Sequence, residues 1–187
     1  NTAVGTLAGE AVTTGQYNTL VGALSGDALT TGAENVAVGY MALSLDDLGS
    51  HSVAIGPSAL ASQNYATATN SYNTAVGSFA GYAMTTGVQN TLVGRSAGDS
   101  LTTGSSNVVV GYEALATDDL GSFNTALGYQ ALETLNYATA TDAYNVAVGM
   151  NTGHQMTVGI QNTLLGAFAG DALTDADYNV ALGYSAF

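Results

Sequence analysis

A five-residue word recurs along the whole chain and limits the possible folds more than any other feature. Each copy is a variant of Asn-Thr-Ala-Val-Gly, and the copies follow one another at a constant seventeen-residue spacing, except at two intervals that are longer by four. The words end at Gly5, Gly22, Gly39, Gly56, Gly77, Gly94, Gly111, Gly128, Gly149, Gly166 and Gly183. A repeat of this length indicates a stack of similar units, each packed only on its neighbours.

The units are grouped in fours. Three of the shorter intervals are followed by one longer interval, so the unit that begins at Asn73 restarts the pattern that begins at Asn1. Residues 1–72 and 73–144 are identical at 45 of 72 aligned positions. We therefore interpret 1–187 as a single repeat domain, a fragment of a longer fibre, with super-repeats at 1–72 and 73–144 and a partial one at 145–187.

The middle of each word predicts a short β-strand. Positions two to four hold Thr, Val, Ala, Leu or Ile, and β-branched residues favour extended backbone. No apolar stripe persists at helical spacing, and Gly, Thr and Asn are poor helix formers. We predict an all-β fold, a parallel β-solenoid (a left-handed β-roll in the resemblance given below) of about eleven 17- or 21-residue coils. Val4, Val21, Val38 and Ile55 should form one column, in a rod roughly 50 Å long.

The predicted strands are apolar on both alternating faces. Strands of this kind are usually covered on both sides. One face points into the coil, so something else must cover the other. We expect another copy of the chain there, and hence a homotrimer.

Position one, usually Asn, and position five, always Gly, are predicted to be structural. Asn can bond to copies of itself in the coils above and below, which would form a ladder at a coil corner. Gly suits a tight corner, and the Gly of a later Thr-Thr-Gly turn, as at 13–15, is expected to supply a positive φ. The residues assigned structural roles are Asn18, Gly22, Asn35, Gly39, Asn73, Gly77, Asn90, Gly94, Asn107, Gly111, Asn145 and Gly149.

The charge balance excludes several classes of partner. The chain has 14 acidic residues and one basic residue, Arg95, for a formal net charge of −13. Nucleic acids and anionic membranes would repel such a surface. The absence of Cys excludes disulfides and thiolate metal sites. No apolar run is long enough to predict membrane insertion of this segment.

Two stretches carry a resemblance to known families. Asn73 to Gly77 and Ser52 to Ala59 resemble the head repeats of YadA-type trimeric autotransporter adhesins. Asn124 to Ala131 is similar to repeats found in phage tail-fibre proteins. The resemblance implies a left-handed parallel β-roll, trimeric assembly and a role in adhesion.

These observations favour a structural and adhesive segment of an extracellular trimeric fibre, the head or stalk of a bacterial surface adhesin anchored in the outer membrane. Its partners would be further copies of itself and a host surface protein or glycan. One alternative is the shaft of a phage tail fibre, on a virion, that contributes to host recognition. Another is an ice- or surface-binding β-solenoid. We expect neither an enzyme nor a cofactor, because His51 and His154 do not recur at equivalent positions of other super-repeats.

Paired carboxylates that recur between super-repeats are candidate metal ligands. Asp46-Asp47 and Asp118-Asp119 occupy the same place in successive super-repeats. Carboxylate oxygens suit Ca²⁺, whereas Asp in a solvated turn is the alternative interpretation.

The two longer units contain a four-residue insertion, and insertions in repeat proteins form loops that often bind partners. Tyrosine offers a large contact area to proteins and carbohydrates. The candidate contact residues are Tyr65, Tyr72, Tyr137 and Tyr144. Packing of these rings back onto the rod is the alternative.

Overall fold

A computed structural model describes residues 1–187 as a β-solenoid of eleven stacked coils, which confirms the predicted fold class. We number the coils 1 to 11 from the first residue of each word, and positions within a coil from that residue. Coils 4 and 8 are the longer coils that contain the insertion. The chain contains only strands and turns, with no helix long and apolar enough to cross a membrane.

The strands are short and parallel. One 11-stranded sheet contains the strand of every word, and two small sheets pair a longer coil with the coil before it. The strands are β1 Thr2–Val4, β2 Thr19–Val21, β3 Val36–Val38, β4 Gly49–Ser50, β5 Val53–Ile55, β6 Thr69–Asn70, β7 Thr74–Val76, β8 Thr91–Val93, β9 Val108–Val110, β10 Gly121–Ser122, β11 Thr125–Leu127, β12 Thr141–Asp142, β13 Val146–Val148, β14 Thr163–Leu165 and β15 Val180–Leu182.

The register of the 11-stranded sheet pairs the same word position in neighbouring coils. Val4 pairs with Val21, Val21 with Val38 and Val38 with Ile55, so the predicted column is confirmed. Because side chains alternate along a strand, position three points inward while positions two and four point outward. Leu20, Ala37 and Leu92 at position three are fully buried.

In coils 2 and 3 the interior is filled by compensation between the side-chain sizes at positions three and nine. Coil 2 has Leu20 at position three and Gly26 at position nine, where an added Cβ would lie 2.7 Å from the Leu20 side chain. Coil 3 reverses the sizes, with Ala37 at position three and the buried Leu43 at position nine. Leu43 has φ 55° and Gly26 has φ 53°, so volume rather than backbone conformation explains the alternation.

A buried ladder of Asn side chains runs along the inside of one corner. The Asn107 Nδ2 group donates to the carbonyl oxygen of Gly121 in its own coil, at 2.9 Å. Its Oδ1 accepts the backbone N–H of Asn124 in the next coil, at 2.8 Å. The same two contacts are made by Asn18 and by Asn35. Each of these three amides therefore closes its own coil and fixes the position of the next.

The Gly that ends each word lies where coils approach most closely. Gly94 has φ 135°, and an added Cβ would overlap the carbonyl oxygen of Gly111 in the next coil. The Thr-Thr-Gly glycines differ from expectation, because Gly15 and Gly87 do not have a positive φ. They are also required by close contact with the next coil, and an added Cβ on Gly87 would overlap the carbonyl oxygen of Gly104.

We expect the ladder to contribute strongly to stability. Replacing Asn107 by Ala removes both contacts described above and leaves buried backbone groups without partners. The free energy of unfolding should fall by about 3 kcal/mol. Chemical denaturation measures this change. Asn136→Ala, at an exposed Asn, is the control and should change it by less than about 0.5 kcal/mol. Equal effects of the two substitutions would contradict the ladder's role.

Candidate functional site

The outward side chains of the 11-stranded sheet form a continuous strip along the rod, which we call the outer face. It consists of positions two and four of every word, and these hold only Thr, Val, Ile and Leu. Val108 and Val110 in coil 7 are 42% and 39% exposed. An apolar surface in the middle of the rod is therefore uncovered in the single chain.

The inserted coils place their tyrosines in two different environments. Tyr65 and Tyr137 are only 4% exposed, so the expectation that they contact a ligand does not hold for these two residues. The Tyr65 hydroxyl donates to the carbonyl oxygen of Gly87 at 2.8 Å and accepts from Asn73 Nδ2 at 3.1 Å. Burial raises the pKa of the Tyr65 hydroxyl. Tyr65 and Tyr137 each connect the insertion to the Asn ladder through the phenol hydroxyl.

Tyr72 and Tyr144 lie on the surface. Tyr72 is 54% exposed and stacks on His51 of the preceding coil, with ring centroids 5.1 Å apart. Tyr144 stacks in the same way on Phe123, at 5.0 Å. The two aromatic pairs lie four coils apart, about 19 Å along the axis. The exposed parts of the insertions otherwise carry small side chains, such as Ala66, Thr67 and Ala68 in coil 4.

A second aromatic ladder lies at position six. The Arg95 guanidinium lies 5.4 Å from the centroid of the Tyr112 ring, which stacks on Tyr129 at 5.3 Å. Arg95 Nη1 is also 3.5 Å from Glu113 Oε1. The one basic residue, Arg95, therefore contacts side chains of the next coil on the rod surface.

The paired aspartates do not converge on a common point. Asp46 and Asp118 are fully buried inside their coils, whereas Asp47 and Asp119 are only partly buried. No group of three or more His, Asp or Glu side chains could hold a metal ion. The arrangement provides no shared set of oxygen ligands for Ca²⁺.

The Thr-Thr turns use their first hydroxyl within the rod. Thr13 Oγ1 donates to the carbonyl oxygen of Thr30, and Thr30 Oγ1 donates to that of Asp47. The same contact joins Thr85 to Thr102. These hydroxyls are occupied along the axis, which weakens the ice-binding alternative for these turns.

Sequence reasoning missed a buried polar network in coils 3 to 5. Ser52 replaces Asn in the ladder, and Gln63 fills the gap by donating from Nε2 to Ser52 Oγ at 2.7 Å and to Asp46 Oδ2 at 2.6 Å. Gln63 Oε1 accepts from Asn73 Nδ2 at 2.9 Å. Ser71 contacts Ser52 through the two hydroxyls, at 2.6 Å. The sequence contains a signal for this network, because the word at Ser52 is the only one that does not begin with Asn.

The two tyrosine environments give opposite expectations for removal of a hydroxyl. Tyr137→Phe loses the bond to the Gly159 carbonyl oxygen and the bond from Asn145, so the free energy of unfolding should fall by about 1–2 kcal/mol. Tyr144→Phe is the matched control, since its half-exposed ring keeps its stacking on Phe123. Chemical denaturation of both variants checks this, and equal values would contradict the buried role of Tyr137.

Comparisons with protein-family models, with curated proteins and with solved structures give no match.

Proposed function

We propose that this chain is a structural and adhesive segment of an extracellular fibre, in which copies associate as a homotrimer through the outer face. The observation that carries the proposal is the uncovered apolar strip along the 11-stranded sheet. A bacterial cell surface or a virion is the setting that suits such a fibre.

The size of the strip supports burial against a partner. Eleven strands at about 4.8 Å spacing, each three residues wide, give an area of roughly 500 Å². The largest apolar patch on a soluble monomer is about 300–600 Å² and is often an interaction site. This area counts the whole face of the sheet, including the threonines at position two, and the register stacks the Val, Ile and Leu residues of position four in one continuous apolar column.

The charge distribution supports a second copy as the partner. The chain carries a formal net charge of −13, yet no charged residue lies on the outer face. Two copies can therefore meet there without bringing carboxylates together, while the charged sides stay in solvent. The parallel rods would also share one axial repeat, so contacts made by one coil are repeated by the next.

A charge introduced into the outer face should prevent assembly. Val110→Glu would place carboxylates in the interface of every copy, so light scattering should give a monomer mass in place of a trimer mass. Thr103→Glu, an equal change of charge at an exposed turn outside the outer face, is the control and should leave the trimer intact. A monomeric, well-folded wild-type chain would refute the proposed assembly.

We place adhesion at the exposed aromatic pairs of the inserted coils. Tyr72 and Tyr144 offer half-exposed rings that are held rigid by stacking, and rigid aromatic rings suit protein or glycan receptors. A trimer would present six such pairs, so weak contacts would be multiplied by avidity.

Removal of both rings should weaken adhesion without unfolding the rod. For Tyr72→Ala with Tyr144→Ala, we expect at least roughly tenfold less binding of chain-coated beads to host cells, since each lost aromatic contact is worth about 1 kcal/mol. Tyr17→Ala with Tyr178→Ala removes exposed rings from the shorter coils and is the matched control. Unchanged adhesion of the first variant would show that this segment only spaces another binding tip.

A further inference from the structure

Asp118 is a fully buried carboxylate, and only one of its two oxygens has a hydrogen-bond partner. Its Oδ1 accepts the backbone N–H of Gly121 at 3.0 Å and that of Leu120 at 3.4 Å. Its Oδ2 is buried and has no hydrogen-bond partner. A buried ionised oxygen without a donor is costly, more so than a neutral carboxyl in the same place.

The equivalent residue of the first super-repeat has what Asp118 lacks. Asp46 also accepts the N–H of the glycine three residues later, Gly49, through Oδ1 at 2.9 Å. Its Oδ2 receives the Gln63 Nε2 group at 2.6 Å. Burial raises the pKa of the Asp46 carboxyl, and the Gln63 amide opposes this effect. The two sites differ in a side-chain donor, which the following coil supplies to Asp46 and not to Asp118.

Coil 8 differs from coil 4 at the residues that would supply this donor. Leu135 occupies the place of Gln63, and Asn124 occupies the place of Ser52. The Asn124 Nδ2 group is itself buried without a partner. An acceptor on coil 7 and a donor on coil 8 are thus both unsatisfied where the first super-repeat has a closed network.

No positive charge compensates Asp118. Burial is the largest cause of a pKa raised from 3.8 to about 6 for the Asp118 carboxyl, and the surrounding backbone N–H groups oppose it only in part. Asp119, the neighbouring carboxylate, raises this pKa further, whereas the backbone N–H of Tyr137 on coil 8 lowers it, and the Tyr137 phenol is the nearby ionisable group on that coil. Coil 6 presents the buried Leu101 at the equivalent position.

We propose that Asp118 is an internal pH sensor of the rod, which binds a proton under mildly acidic conditions and thereby strengthens the packing of coil 7 on coil 8. At neutral pH the ionised carboxylate keeps one oxygen without a hydrogen-bond partner, and this weakens that packing. At Asp46 the Gln63 amide donates to the second carboxylate oxygen and opposes the rise in pKa that burial causes.

The direction of the pH dependence follows from proton binding. Between about pH 4 and 6 the folded chain holds a proton on Asp118 that the unfolded chain has lost. Stability contributed by this site is therefore greatest near pH 4, falls as the pH rises to about 6 and stays low above it. A change of about two pKa units corresponds to a roughly 100-fold change in the unfolding equilibrium constant.

Chemical denaturation between pH 4 and 7.5 tests the proposal on the full chain. Wild type should lose a roughly 100-fold stabilisation on going to neutral pH that Asp118→Asn does not show. Asp142→Asn, an equal charge change at an exposed residue of β12, is the control and should follow wild type. The double variant Asn124→Ser with Leu135→Gln gives coil 8 the equivalents of Ser52 and Gln63 and should reduce the dependence. Identical pH profiles for wild type and Asp118→Asn would overturn the proposal.

A direct titration serves if Asp118→Asn does not fold. The carboxyl carbon of Asp118 in isotope-labelled wild type, followed by NMR, should titrate with a midpoint near pH 6. A midpoint below about 4.5, within the ordinary range of aspartate, would also overturn the proposal.

Discussion

The structure depends on a buried side-chain amide at the first position of nearly every coil, and most of these amides are hydrogen-bonded. An Asn side chain inside the rod has a donor and an acceptor that are costly to leave unpaired. The arrangement that recurs satisfies both, with the donor closing the Asn's own coil and the acceptor holding the next. The Asn ladder therefore sets the register, and the outward columns of Val, Ile and Leu follow from it.

The same constraint explains why the two longer coils, 4 and 8, differ from each other in their buried residues. Loss of the Asn at Ser52 leaves a gap that neighbouring residues must fill, and Gln63 and Ser71 do so. Where Asn124 keeps the ladder residue, Leu135 and Ala143 replace Gln63 and Ser71. The two super-repeats thus contain alternative solutions to one packing problem, and the second leaves polar groups unpaired.

Repeat spacing was sufficient to predict the solenoid and its register, because a constant short period and a β-branched word permit few other folds. The places of Tyr65 and Tyr137 could not be predicted in the same way. Their sequence context, an insertion rich in Ala and Thr, suggested a projecting loop, whereas the phenol groups are drawn inward by the Asn ladder. Contacts between coils decide such placements, and a single-coil pattern does not contain them.

A comparison of the repeats shows which residue types each coil position accepts. At position seventeen the chain accepts Tyr17, Glu34, His51 and Gln89, so size and charge are free to vary at that surface. At positions two and four, eleven coils never accept a charge, although the chain carries 14 acidic residues and those positions face outward. Solubility alone would favour carboxylates there. Their consistent absence is the behaviour expected of a surface that a partner covers, which supports the proposed self-association through the outer face.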